Sequence, residues 1–591
     1  MNLICLDFET YYDRDYSLSR LSTEEYVRDD RFRVHLVGWK SAEGRGWSNT
    51  VIPSLEGSAV IAHHAQFDGL ILSHVYNVRP AFWIDTLSMS RILFPAEKHD
   101  LDSLSKLAGL PPKDFATLQM MLGVRYPTPG QLAGLSTYCL GDVENTWKLA
   151  HLMLPLIPRH ELRLIDLTIR MFTEPSLRLD RPMLEAFYAE TVAGKEAYLA
   201  ALGVTRADLQ SAERFAGLLR ELGIEPPLKP SPTGNGDIYA FARTDDAMRS
   251  LAEHPDDHVQ ALVAARLGVK STLNETRALR LRDMDRRGSL CVYLKHAAAH
   301  TLRWGGGDKV NWQNFPRGGA IRRSIRAPDG AKLVVADLSQ IECRILNWLA
   351  GEDDVVHAFS VGLDIYAAMA SRYYRRAITK ESEPAERQLF KIIELACGYG
   401  MGPEKFRRVC ALGSLGGAPI VMSDKDAEEA VEFYRDSHPN VRNLWYKGNE
   451  IVRYLHFRNA TTWGPCEVRH GAIILPDGLP LMYRDIDTRD DGELYMRTGP
   501  DKWRKIYGAK LVENVVQALA RSIIAQAILT IAEQRDRFRV VSTEHDSVVV
   551  LARGGDVKAL PDILDVLRRV PPWAPGLPLD AEGYEGERYG R

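Results

Sequence analysis

The sequence opens on "LICLDFET", Leu3–Thr10, in which the apolar residues form a short run and two acids follow it. Leu3–Asp7 is predicted as a strand, and Val34–Trp39 and Val60–Ala62 as two more, with helical stretches between them. Leu154–Arg159, with two prolines, reads as a hinge. From 160 to about 300 the pattern turns helical and charged, broken by prolines and glycines at Glu225–Gly236, which predicts helices projecting into solvent around a flexible tip. Beyond 300, strands and helices alternate. "KLVVADLSQIECRILNWLAG" reads as a buried strand ending at Asp337, a turn at Ser339, and a helix with Ile341, Ile345, Trp348 and Leu349 inward. "SEPAERQLFKIIELACGYGMG" reads as a helix capped by Ser382, with Pro384 in its first turn. "VVSTEHDSVVVLA" reads as a hairpin of Val540–Val541 and Val548–Leu551 with Asp546 at its tip.

Composition narrows the class. At 591 residues the chain has room for roughly three to five domains. No run of about 18 apolar residues is evident, so no membrane span is expected. Met1–Glu9 lacks the basic start of a secretory signal. Seven scattered cysteines with no Cys-x-x-Cys pair fit a reducing, cytoplasmic compartment and exclude a disulfide framework or structural zinc. The net charge of −3 hides a gradient: Arg266–Arg326 carries 14 Lys/Arg against 4 Asp/Glu. Such an excess can track a phosphate backbone, although a solvated charged helix has the same composition.

Three clusters carry candidate chemistry. Asp7 and Glu9 lie two apart on a strand, hence on one side of it. Asp68 in "HHAQFDGLIL" and Asp142 in "YCLGDVENTW" add two acids, and Tyr138 sits one helical turn before Asp142. Hard oxygen ligands suit magnesium or manganese, and two such ions serve phosphodiester cleavage. Each fragment alone is weak; in this order they are stronger. On the second helix, Arg387, Lys391, Leu395 and Tyr399 recur every four residues, so two cations face one ligand, as a triphosphate requires, while Leu389, Ile392, Ile393 and Ala396 can bury. Taken alone, that stripe is better explained as an ordinary amphipathic helix with a basic edge. Asp337 is the third case: an acid ending an apolar strand is costly unless it binds something, and Asp546 is its candidate partner.

The first cluster resembles the 3′–5′ exonucleases that carry four acids and a tyrosine on an RNase H-like sheet, over about 150 residues. His64 stands where those relatives usually have asparagine. "DLSQIE", "RQLFKIIELACGYG" and "EHDS" resemble, in order, the three polymerase motifs of family A (DNA polymerase I-like) DNA polymerases. "TLRWGGGDKVNWQNFPR", "ENVVQALAR", "DSHPNVRNLW" and "IRAPDGAKLVVAD" extend the likeness from about 160 to the end, in the manner of a compact phage-type enzyme, and no stretch resembles a 5′ nuclease domain.

The resemblance implies an α/β and α+β multidomain chain: an exonuclease domain (1–155), then a right hand whose start and thumb fill 156–300 (thumb 190–295), with palm 301–360 and 451–591 and fingers 361–450. It implies two magnesium ions per active site, or manganese, held by Asp337, Leu338 and Asp546, and others held by Asp7, Glu9, Asp68 and Asp142, with Tyr138 orienting water. Arg387 and Lys391 would grip the incoming triphosphate, with Lys391 protonating pyrophosphate. Gln340, Leu395 and Tyr399 would line the nucleotide site, Glu342 would exclude a ribose 2′-hydroxyl, and His545 would meet the primer end. Arg303, Asn311, Gln313, Asn314 and Gln517 would position the duplex, mainly without reading sequence. Implied partners are primer–template DNA, deoxynucleoside triphosphates and a single-stranded 3′ end, with the chain a monomer in the host cytoplasm.

Three departures stand out. Leu395 replaces phenylalanine, Tyr366 in "DIYAAMA" replaces histidine, and Ser547 replaces a glutamate, its role taken by water or by the hydroxyl. Two other readings use the same residues: a nuclease whose second half is a DNA-binding platform, and a structural DNA-binding protein. The six acids at the two clusters disfavour the last.

Overall fold

A computed structural model describes the whole chain except residues 51, 232, 233, 235, 243, 244, 253, 271, 317, 414–418, 458, 459 and 591. Part of the Glu225–Gly236 break therefore lies outside the described residues. The chain divides into two compact units: Met1–Ser176 with Cys291–Asn314 and Ala327–Glu587, and Leu177–Leu290 with Phe315–Arg326 and Arg588–Arg591.

In the first unit, five strands pair in the order Arg45–Ser48, Val34–Lys40, Leu3–Thr10, Ala59–Ala62, Phe82–Asp85. Leu3–Thr10 is central, antiparallel to Val34–Lys40 and parallel to Ala59–Ala62. The outer strands, Arg45–Ser48 and Phe82–Asp85, are absent from the sequence reading. Helix Pro129–Met153, with a capping box from Thr128, packs on this sheet. Gly38 permits the approach: it lies directly opposite Asp7, and a Cβ there would come within 2.7 Å of Cys139 Sγ.

A second, antiparallel sheet runs Phe538–Glu544, Ser547–Arg553, Ala331–Leu338, Ala581–Gly586. Its first three strands are almost wholly buried, as the near-continuous valine runs predict, whereas the edge strand Ala581–Gly586 buries only Ala581. Helix Gly508–Glu533 packs behind it. That helix is long and apolar enough to cross a membrane by length and composition, which the search for uninterrupted apolar runs overlooked; 78% of its most apolar window is buried inside the protein, the pattern of a core helix. Its Arg521 reaches a fully buried Glu161, donating Nη1 to Oε2 at 2.8 Å, and His296 Nε2 lies 2.6 Å from the other oxygen. Burial would push the Glu161 carboxyl up, but Arg521 and then His296 hold it well below the usual range.

The second unit corrects the picture of helices projecting into solvent. Leu199, Leu209, Phe215, Leu219, Val259 and Val263 form its own core. Arg266 is buried in it, with its guanidinium 4.5 Å from the Phe215 ring centre and donating to Ser211 O at 3.0 Å. Part of the basic excess of 266–326 is thus used internally.

Two further local expectations are corrected. Trp348 and Leu349 are only half-buried, because Trp348 turns to donate to Pro575 O at 3.0 Å, and Leu346 fills the core instead. Ser382 does not cap helix Pro384–Cys397. Glu383 occupies the cap position, and the Ser382 hydroxyl accepts from Thr379 N at 3.0 Å, closing the preceding turn.

Candidate functional site

The first carboxylate centre forms where strand Leu3–Thr10 meets helix Pro129–Met153. One side-chain ligand atom from each of Asp7, Glu9 and Cys139 lies within 4.8 Å of the others. Cys139 Sγ is 3.5 Å from Asp7 Oδ2. Tyr138 and Asp142 lie four residues apart on helix Pro129–Met153, hence on one face, and both are buried. Asp68, from helix Ala65–His74, is buried beside Asp7 but directs Oδ1 to the Phe8 amide at 3.2 Å. Burial, then the Asp142 charge, pushes Asp7 up to about 7. Burial followed by Asp7 raises both Glu9 and Asp68 well above the carboxylate range. Acids crowded in this way favour a cation.

Lys113, which no sequence signal marked, enters this centre. Its Nζ lies 2.6 Å from Asp142 Oδ2 and 5.3 Å from the Tyr138 ring centre. Burial lowers this ammonium, but Asp142 and Asp7 together hold it above its ordinary range. His64 caps helix Ala65–His74 in the left-handed region, with φ 72°, and its Nε2 is 2.9 Å from the Tyr293 hydroxyl.

The second centre is set by strand register. Asp337 pairs directly with Ser547 on one side and Glu582 on the other. The Leu338 amide donates to Asp546 O at 3.0 Å, so the turn His545–Asp546 is tied to the end of strand Ala331–Leu338. His545 is exposed and adopts φ 53°, which this two-residue turn requires. Burial, then Glu342 and Asp337, pushes Asp546 up to about 7, against the pull of Arg303. Ser547 is buried opposite Asp337 and its hydroxyl donates to Glu544 O at 2.9 Å, which closes the hairpin. Directly opposite residues of antiparallel strands share a sheet face. The carboxylate on that face beside Asp337 is therefore the exposed Glu582, which the sequence reading did not name.

Around this centre, Glu342 accepts from Arg303 Nη1 at 2.7 Å and from the Tyr399 hydroxyl at 3.4 Å. Gln340, at φ 52°, starts helix Ile341–Ala350 and hydrogen-bonds Tyr366. Tyr366 is buried, 5.4 Å from the Arg387 guanidinium. Arg387, Lys391, Leu395 and Tyr399 form a half-exposed stripe, while Phe390, Ile392, Ile393 and Ala396 bury. Leu389 packs partly buried on the same cluster. Arg387 is ion-paired with Asp364, which caps helix Ile365–Tyr374.

The duplex candidates are less uniform. Asn314 is exposed, Gln517 is half-buried, and Asn311 Oδ1 accepts from the Gln313 amide at 3.1 Å. Gln313 itself is buried, with no partner for Nε2 among the described residues. Direct contact with a ligand requires it to turn outward.

Residues 184–462 match the profile described as DNA polymerase family A. A DNA polymerase of Bacillus phage SP02 is 24% identical in an alignment that covers all of both chains. The thermostable DNA polymerase I of Thermus aquaticus is 30% identical over 45% of this chain and 31% of its own length. Among solved structures, the POL domain of Pol1 from M. smegmatis, in complex with DNA primer-template and dNTP, superimposes with a TM-score of 0.65 at 17% identity. The match covers 99% of this chain and 95% of that one. The fold, the family match over residues 184–462 and the end-to-end similarity to a phage DNA polymerase together support a DNA polymerase of family A.

Proposed function

We propose that the chain is a DNA-directed DNA polymerase that extends a primer 3′ end with deoxynucleoside triphosphates and trims that end by 3′–5′ hydrolysis. The observation that carries the reading is the register that fixes Asp337 beside the Asp546 turn. The donors are hard oxygens, and burial and mutual repulsion hold Asp546 up to about 7, so the site fits divalent cations. Asp337, Asp546 and the Leu338 backbone would hold them. When bound, magnesium would lower the pKa of the primer 3′-hydroxyl and neutralise the departing pyrophosphate.

The chain's own groups do the rest. Arg387 and Lys391 bind the triphosphate, Arg387 after leaving Asp364, and Lys391 supplies a proton to pyrophosphate. Glu342, held by Arg303 and Tyr399, stands against a ribose 2′-hydroxyl. Gln340, Leu395 and Tyr399 line the nucleotide, and exposed His545 meets the primer terminus. Arg303, Asn311, Gln313, Asn314 and Gln517 position the duplex. Glu582, rather than Ser547, offers the additional carboxylate beside Asp337. At the first centre, Asp7, Glu9, Asp68 and Asp142 hold metal and Tyr138 orients water.

In this reading, 1–155 is an RNase H-like proofreading domain, 156–300 leads into the thumb, 361–450 is the fingers, and 301–360 with 451–591 is the palm. The monomer works in the cytoplasm of a host cell.

A second reading, a nuclease on a DNA-binding platform, draws on the inward Ser547 hydroxyl. Primer–template, magnesium and four deoxynucleotides separate the two. The polymerase extends the primer, and deoxynucleotides suppress its shortening; shortening without extension, unaffected by deoxynucleotides, sinks the proposal.

A further inference from the structure

The amino-terminal centre contains a cation of the protein's own. Lys113 stands on the loop between helices Leu101–Leu107 and Phe115–Met121. That loop is pinned on three sides. Asn145 Nδ2 donates to Pro111 O at 2.8 Å, the Lys113 amide donates to Asp102 Oδ1 at 3.0 Å, and Asp114 caps the following helix through Ala116 N at 3.0 Å. The anchored backbone delivers the ammonium to Asp142 Oδ2 at 2.6 Å, with side-chain exposures of 21% and 7%. An exposed pair of this kind contributes little, but one largely out of water is much stronger.

A divalent ion bound through the same oxygen would meet a like charge at close range. At the second centre the guanidinium of Arg303 pairs with Glu342 and its charge also pulls on Asp546. We propose that Lys113 is a resident counter-cation and positioning residue of the nuclease centre: it orients Asp142 while the centre is metal-free, and entering metal must displace it. The inference rests on the nuclease reading of the Asp7 cluster.

The test is Mn2+ binding, followed through the electron-paramagnetic signal of free ion. It uses the full chain carrying Asp337→Ala and Asp546→Ala, so that the first centre is read alone. In that background Lys113→Met should bind Mn2+ about tenfold more tightly, the size of one partly buried charge interaction. Lys113→Arg should stay close to the parent. Equal or weaker binding by Lys113→Met overturns the proposal. So does loss of the melting transition in both Lys113→Met and Lys113→Gln with Mn2+ present, because the lysine would then serve the fold. Asp7→Ala in the same background checks the underlying reading. If it changes neither Mn2+ binding nor single-strand degradation, the nuclease reading fails, whatever Lys113 does.

Discussion

At the amino-terminal centre, the ammonium of Lys113 is bonded to Asp142, one of the acids proposed to hold metal. At the second centre, Arg303 is bonded to Glu342, a neighbour of the proposed metal-holding pair, and its charge also acts on Asp546. Both centres crowd carboxylates, and in both an aspartate is held up to about 7. They differ in where the compensating charge sits and in what holds the acids in place. The first joins a strand, two helices and a loop distant in sequence, and depends on the bare Gly38 for helix and sheet to meet. The second hangs on one strand register, with Asp337 flanked by Ser547 and Glu582. Anchoring acids to adjacent paired strands gives a rigid metal site. Assembling them from separate elements leaves room for a lysine among them.

The largest expected effect falls on one centre alone. Lys391→Ala should slow primer extension by roughly 100- to 1000-fold, the usual cost of removing one charge-stabilising group, and leave single-strand degradation unchanged. Parallel loss of degradation would show that the two centres are not independent. The next change strikes both. Glu161→Gln leaves Arg521 without its carboxylate in a dry interior, which should lower unfolding stability by about 3–5 kcal/mol in denaturant titrations. Both activities should then fail together on warming; an unchanged denaturation midpoint would contradict this.

Acidity offers a finer comparison. Without metal, Asp7 and Asp546 keep protons that the unfolded chain releases above about pH 4. Their contribution to stability is therefore full in acid and is lost as pH rises through about 7. Divalent metal reverses that loss by expelling the protons. Calorimetry in two buffers of different ionisation enthalpy should show proton release on metal binding, with affinity rising from about pH 6 to about pH 8. Binding independent of pH would contradict it. The smallest effect concerns Ser547. Because its hydroxyl is engaged with Glu544 O, Ser547→Glu should change the extension rate by less than about tenfold, ~1.4 kcal/mol in the barrier. A larger change would place the residue in direct contact with metal.

What the sequence made legible follows physical range. The strands bearing Asp7 and Asp337 and the hairpin bearing Asp546 announce themselves through local apolar runs. The Tyr138–Asp142 face and the Arg387–Leu395 stripe follow from helical spacing, whereas Tyr399 lies in the turn after the helix ends at Cys397. Arg45–Ser48 escaped because an exposed four-residue edge strand needs little apolar pattern, and Phe82–Asp85, although buried, because four residues are too few to show a period. Lys113, Glu582 and Asp364 escaped for a different reason: each reaches its place only through tertiary pairing. The inward turn of Ser547 is likewise a property of the closed hairpin. Ser382 followed the capping rule in composition, but its hydroxyl is engaged in the turn before the helix.

The central claim is that one chain carries two separate carboxylate centres with two reactions. Its most direct test is to measure primer extension and single-strand degradation side by side on the wild type, Asp337→Ala and Asp7→Ala, at equal magnesium. The account predicts a crossed pattern: Asp337→Ala degrades and does not extend, and Asp7→Ala extends and does not degrade. Loss of both activities in either variant, or retention of extension by Asp337→Ala, would contradict it.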